Sequence, residues 1–410
     1  MNAARQDNVA KYLTRYAESE AAIASTLFSS DDYFQQVLCL PAYDETVDDI
    51  QSILQFAKQH RNTLVVLLIN EPANNRTANE SSGNSALCYN RVRERYVATT
   101  SNQHLSRHPL CTSNSGSEVL LIDRFSDRLK IPCDQGVGLA RKIAADIACM
   151  LIHRGIVKSP FIYNTDIDVV LPIDYFDAAK HILDTDKMAA DHVNNIAALV
   201  YAFEHICDKT TDRSGDIYRM TAMYEQRLNA YVSGLARARS PYAFHTIGST
   251  IAIHYQHYAS VRGFPKRAAG EDFYLLNKLR KSGEIKSLTN PIIQIRSRTS
   301  TRTPFGTGRA VNDLLRATPC SQKKNGSDEQ DIFYHPKVFV LLEYLLKWFD
   351  HLSSDLEAIL ATNQEHVKKT EIANGYWQLH LSTFFAEPDD YSIENLLCDS
   401  DQQLICLLYT

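Results

Sequence analysis

Phe161-Ile162-Tyr163-Asn164-Thr165-Asp166-Ile167-Asp168 is the stretch from which the architecture can be read. An apolar run suited to a buried strand passes into a polar turn with two carboxylates one residue apart, and Pro172-Ile173-Asp174-Tyr175-Phe176 then opens a helix. Open α/β sheets bind ligands at the carboxyl ends of their strands, so Asp166 and Asp168 stand where ligand-serving acids belong. Oxygen donors so spaced suit a hard divalent cation, Mg²⁺ or Mn²⁺, that neutralises a diphosphate. They also suit a turn and a helix cap, and the D-x-D pattern alone leaves both readings open.

Working outward, short apolar runs alternate with amphipathic stretches. Val37 to Leu40, Val47 to Gln59 and Leu64 to Ile69 read as strand, helix and strand; Val119 to Ile122 and Val137 to His153 read as strand and helix. After the D-x-D stretch come a helix at Asp174 to Leu183, a strand at Ile196 to Ala202, a long helix at Arg213 to Ala238 and a strand at Ile247 to Ile253. Helices at His254 to Val261 and Asp272 to Ser282 follow. This alternation predicts an α/β fold with a mostly parallel, Rossmann-like sheet flanked by helices. Residues 1–35 form an N-terminal helical segment, 36–310 the main domain and 331–410 a C-terminal helical region beyond a polar linker at Ser321 to Gln330. Helices are expected there at Val338 to Leu352, Leu356 to Lys369 and near Ile393, available for a homo-oligomer. Asn70 to Pro109 is polar apart from one helix around Ala86 to Val97 and reads as a long insertion.

Composition removes several classes of function. Lys and Arg number 43 against 48 Asp and Glu, so no basic field exists to hold nucleic acid. The longest aliphatic run, Leu64 to Ile69, is too short to span a bilayer. The first 23 residues lack the basic start and apolar centre of a secretory signal, which makes the cytoplasm the expected location. Nine cysteines, an odd number without a C-x-x-C pair, read as reduced packing thiols.

Further segments carry chemistry. In Leu38-Cys39-Leu40-Pro41-Ala42-Tyr43-Asp44-Glu45 a strand stops at a proline, and an aromatic and two acids follow, a loop able to lie against a nucleobase and offer a carboxylate to a ribose. It is equally suited to a plain strand-to-helix turn. Gly136-Val137-Gly138-Leu139-Ala140-Arg141 permits close backbone approach to a phosphate, but the third glycine of a dinucleotide fingerprint is replaced by Arg141. Gly270-Glu271-Asp272 introduces a helix with two acids, one of which could accept a proton from a hydroxyl, while the pair also complements the helix dipole. Arg298 and Arg302, among hydroxyls and glycines in Arg296 to Arg309, suit a loop closing on a diphosphate or a solvated loop. His245, His254 and His257 flank the strand before the acidic helix.

As an ordered set, these segments resemble the GT-A glycosyltransferases of family 2 and related nucleotide-sugar transferases, over roughly residues 36 to 310. The family's order is P-A-x-N-E, then G-x-x-x-A-R/N, D-x-D, G-G-F and E-D. The resemblance implies a transferase moving a sugar from a UDP- or GDP-sugar to an acceptor hydroxyl, inverting the anomeric centre. Pro41, Ala42, Tyr43 and Glu45 are then assigned to the nucleoside and Gly138, Arg141, Asp166, Arg298 and Arg302 to the rest of the donor. Asp168, Asp166 and His254 are assigned to Mn²⁺ or Mg²⁺, and Asp272 with Glu271 to catalysis. Asp44 replaces the usual Asn, Asn70-Glu71 stands where many members have an acid, and Arg262 replaces the first glycine of G-G-F. A retaining transferase and a non-catalytic nucleotide-sugar-binding module remain the alternatives. A sugar-1-phosphate nucleotidyltransferase does not, because no Gly-rich basic loop follows the first strand.

Overall fold

A computed structural model of the chain describes residues 2–73, 83–111, 116–185, 195–209, 212–300, 306–317 and 334–362. The expected helix near Ile393 and Arg302 lie outside the described residues. The chain divides into two compact units, one of Met1–Gln226 with Phe244–Lys323 and one of Arg227–Ala243 with Lys324–Thr410.

In chain order the elements begin with helices α1 (Asn2–Arg15) and α2 (Ser19–Ser25), strand β1 (Gln36–Ala42), helix α3 (Val47–Gln59), strand β2 (Thr63–Asn70) and helix α4 (Asn84–Arg95). Strands β3 (Thr100–Asn102), β4 (Leu105–Pro109) and β5 (Glu118–Arg124) lead to helix α5 (Gly136–His153), strands β6 (Phe161–Asn164) and β7 (Val169–Val170) and helix α6 (Asp177–Thr185). Then come β8 (Ile196–Ile206), α7 (Asp216–Arg237), β9 (Ile251–His254), α8 (Tyr255–Ser260), α9 (Glu271–Arg280), β10 (Glu284–Arg296), α10 (Thr307–Ala317) and α11 (Pro336–Thr362).

The strands make one ten-stranded sheet in the order β3-β4-β5-β2-β1-β6-β9-β8-β10-β7. It is mixed, which corrects the expectation of a mostly parallel sheet. β5, β2, β1, β6, β8 and β10 share one direction, but β9 enters between β6 and β8 running the other way. β4 and β7 are also antiparallel to their neighbours. A strand buried on both faces is apolar whichever way it runs, so its composition does not record its direction. The described part of the insertion between β2 and β5 holds more regular structure than its polarity implied: α4 packs on α3, and β3 and β4 extend the sheet. The N-terminal helical segment holds two helices, and α11 is continuous over 27 residues where two helices were expected.

The core follows from amphipathic spacing. Ile50, Ile53, Leu54 and Ala57 recur on one face of α3 and pack on β1 and β2, whose residues are buried throughout. Each such large aliphatic side chain contributes roughly 1.5–3 kcal/mol on burial, which fixes the strand ends and the loops they carry. In the second unit Leu235, Ala238, Val338, Phe339 and Leu342 form a separate small core.

A buried polar network pins the N-terminal helices to α5. The Asp146 carboxylate, fully buried, accepts from Tyr12 and from Tyr258 (2.7 Å), from the Glu18 backbone N–H (2.8 Å) and from Lys142 Nζ (2.9 Å), and Lys142 also donates to Tyr12 (2.7 Å). Removing one member of a buried charge pair leaves the other uncompensated, typically costing about 3–5 kcal/mol. Asp146→Asn is therefore expected to lower unfolding free energy by about that amount in urea titrations. A variant as stable as the wild type would show that Lys142 finds other compensation.

Candidate active site

The shared direction of six strands brings their carboxyl ends to one edge of the sheet. β1 ends there at Ala42, β6 at Asn164 and β10 at Arg296, and the reversed β9 starts there, just after the tight turn Gly248–Thr250. β7 folds back on the end of β10, and the Arg296 N–H donates to the Asp168 carbonyl at 3.1 Å. This stitch sets residues 297–300 beside the D-x-D turn.

Two guanidiniums organise the acids. Arg141, on the second turn of α5 and 4% exposed, donates Nε to Glu271 (2.9 Å), Nη2 to Asp166 (2.6 Å) and Nη1 to the Gly248 carbonyl (3.1 Å). A Cβ on Gly248 would stand 2.6 Å from this guanidinium, so any larger residue there must displace Arg141 from its partners. Arg298 reaches Glu45 through both Nη atoms (3.1 and 3.2 Å) and Asp168 through Nε (2.6 Å). Burial alone would lower both arginine pKa values; Asp166 and Glu271 beside Arg141, and Asp168 and Glu45 beside Arg298, reverse that and push them up.

Asp272 sits at the start of α9 and accepts from the Phe273 N–H (2.7 Å) and the Gly248 N–H. Burial raises its pKa above the ordinary range. Burial, and then the charge of Asp272, raise Glu271 to about 7. Glu45, Asp166, Asp168, Glu271 and Asp272 thus share the edge with two arginines, and the surplus is negative.

The loop after β1 is shaped by Asp44, whose φ of 53° lies in the left-handed region that Asn and Asp tolerate better than other residues. Asn84 of α4 donates to its carboxylate at 3.0 Å, and Cys88 to the Glu45 carbonyl at 3.3 Å, so the insertion braces this loop. Pro41 and Ala42 are buried at the end of β1 and Tyr43 is half-buried beyond them.

Other expected members do not join this edge. β9 is antiparallel to β6, with His254 opposite Phe161 and Ile251 opposite Asn164, so His254 lies at the far end of the strand from Asp166 and Asp168. His257 bonds to Ser282 (2.9 Å). Gly138 approaches backbone closely, but the backbone is the chain's own: its N–H donates to the Arg267 carbonyl (3.0 Å), and a Cβ would stand 2.5 Å from the Pro265 carbonyl oxygen. Arg141 likewise faces protein carboxylates rather than an open surface. Arg262 has φ 67° and lies over the Tyr16 ring at 4.7 Å, against the N-terminal segment. Glu71 pairs with Lys130 at 3.3 Å. Gly248 was missed by the sequence reading; its signal was a glycine directly before an apolar strand in a glycine-poor chain.

Among the described residues no three His, Cys, Asp or Glu side chains form a group that could hold a metal ion. Asp166 and Asp168, with side chains 34% and 15% exposed, nevertheless fit a cation that arrives with a diphosphate. Such ions are commonly held by one or two carboxylates plus phosphate oxygens, and the negative surplus favours them. No described helix is long and apolar enough to cross a membrane.

No protein-family model matches the chain, and no curated protein matches it by sequence. Among solved structures it is similar to the mannosyltransferase PcManGT from Pyrobaculum calidifontis in complex with GDP-Man and Mn²⁺, at 13% identity and a TM-score of 0.35, over 72% of this chain and 66% of that one.

Proposed function

We propose that residues 36–310 form a glycosyltransferase that uses a nucleoside diphosphate sugar and a divalent cation. The observation that carries this reading is the meeting of Glu45, Asp166, Asp168 and the Glu271–Asp272 pair at one sheet edge, from loops far apart in sequence.

The nucleoside lies against Tyr43 and the end of β1, with Glu45 toward the ribose. The diphosphate lies by Asp166 and Asp168, where Mn²⁺ or Mg²⁺, when bound, supplies charge neutralisation to the leaving group. Asp272 takes the proton of the acceptor hydroxyl as its oxygen bonds to the anomeric carbon and the bond to the diphosphate oxygen breaks. Two N–H groups hold the Asp272 carboxylate and leave it acceptor capacity for that proton. Glu271, turned to Arg141, positions rather than reacts, and Arg141 ties the donor side to the acceptor side through Asp166 and Glu271.

Incubation with UDP-, GDP- and TDP-sugars in the presence of Mn²⁺ tests the reading. Slow hydrolysis of one donor, releasing its nucleoside diphosphate, is expected; a panel in which no donor is bound or hydrolysed would overturn it.

A further inference from the structure

The two guanidiniums of the site differ in how firmly they are held. Arg141 is 4% exposed by side chain, has three partners and lies beneath Gly248. Arg298 is 35% exposed by side chain and sits on the segment after β10, held by carboxylates from two loops. Releasing Arg141 would strand buried charges, whereas releasing Arg298 from Asp168 returns a partly hydrated side chain to water and leaves it beside Glu45.

We infer that Arg298 is an exchangeable counter-ion: it occupies Asp168 when no cation is present, and a divalent cation must displace it. The inference rests on the proposed function for the identity of the cation's companion, a nucleoside diphosphate. A guanidinium and a divalent cation cannot both approach the same small carboxylate face without strong repulsion. A cation alone therefore binds against the cost of the Arg298–Asp168 pair. A diphosphate offers the displaced guanidinium a new anionic partner, so nucleotide and cation bind with positive coupling, each raising the other's affinity by the same factor. Arg298 is in this sense a positioning residue that couples the two ligands.

Titration of the full chain with Mn²⁺, followed by loss of the free-ion electron paramagnetic resonance signal, tests this without any turnover. Arg298→Gln is expected to tighten binding of Mn²⁺ alone by about tenfold or more, since a competing ion pair at a partly buried carboxylate is removed. Arg298→Lys, which keeps the charge, should stay near the wild type, and Arg298→Met serves if the glutamine variant does not fold. Adding Asp168→Asn to Arg298→Gln should erase the gain. Equal or weaker Mn²⁺ affinity in Arg298→Gln, no Mn²⁺ binding by any variant, or a gain that survives Asp168→Asn would each overturn the inference. Adding GDP or UDP separates the two ideas. If neither nucleotide alters Mn²⁺ affinity in the wild type, the transferase reading fails, while the comparison with Mn²⁺ alone still decides the exchange.

Discussion

Asp168→Ala is expected to abolish transfer and to weaken Mn²⁺-dependent binding of nucleoside diphosphate by about a hundredfold or more. Loss of a mere supporting contact around a metal ligand already costs about 10–100-fold, and here the proposed ligand itself is removed from a site with few others. The fold should survive. The Asp168 carbonyl still accepts from the Arg296 N–H, the β7–β10 ladder is backbone, and Arg298 keeps both bonds to Glu45. Calorimetric titration with GDP and UDP plus Mn²⁺, beside a urea midpoint, separates loss of ligand from loss of fold. Unchanged affinity in a folded variant would remove Asp168 from the donor site, and with it the reading of the D-x-D turn.

The legible part of this protein was local. The strands and helix of the β-α-β opening, the D-x-D turn and the acids at the start of α9 are each written in short contiguous stretches, and each lies where strand and helix periodicity placed it. What could not be read depended on partners far along the chain. β10 contains Lys286, Asn290 and Pro291, and only toward its end do Ile293 and Ile295 alternate into the core, so pairing with β8 rather than its own composition makes it a strand. Because β10 was hidden, the position of Arg298 beside Asp168 was hidden too. Arg141 was visible as the residue replacing a glycine, but its partners Glu271 and Gly248 lie more than a hundred residues away. The direction of β9, which decides that His254 points away from the acidic turn's end of the sheet, has no local signature either.

Asp272→Asn is expected to keep donor binding and to lower turnover by about 10²–10⁴-fold, the usual contribution of a positioned general base. The carboxamide oxygen has the size and place to go on accepting from the Phe273 N–H, so the start of α9 is kept. What disappears is a carboxylate whose pKa is raised by burial, which makes it a stronger base than a solvated aspartate. The sign for pH follows from that direction. The base works when deprotonated, so wild-type kcat/KM should fall as pH drops through the raised pKa, along a limb above the ordinary aspartate value of about 4. Asp272 also helps raise Glu271 to about 7, so the limb belongs to the pair. With Asp272 neutral, Glu271 loses that repulsion, its pKa falls, and the acidic limb should move down along with the lost rate. Steady-state rates from pH 5 to 9 with donor affinity measured separately distinguish the outcomes. A loss of donor affinity at unchanged turnover would place Asp272 among the binding residues. Full activity would exclude it as the base and favour a retaining reaction, in which no enzyme carboxylate need take the acceptor proton here, leaving Asp272 as the carboxylate that holds Gly248 and, through it, Arg141.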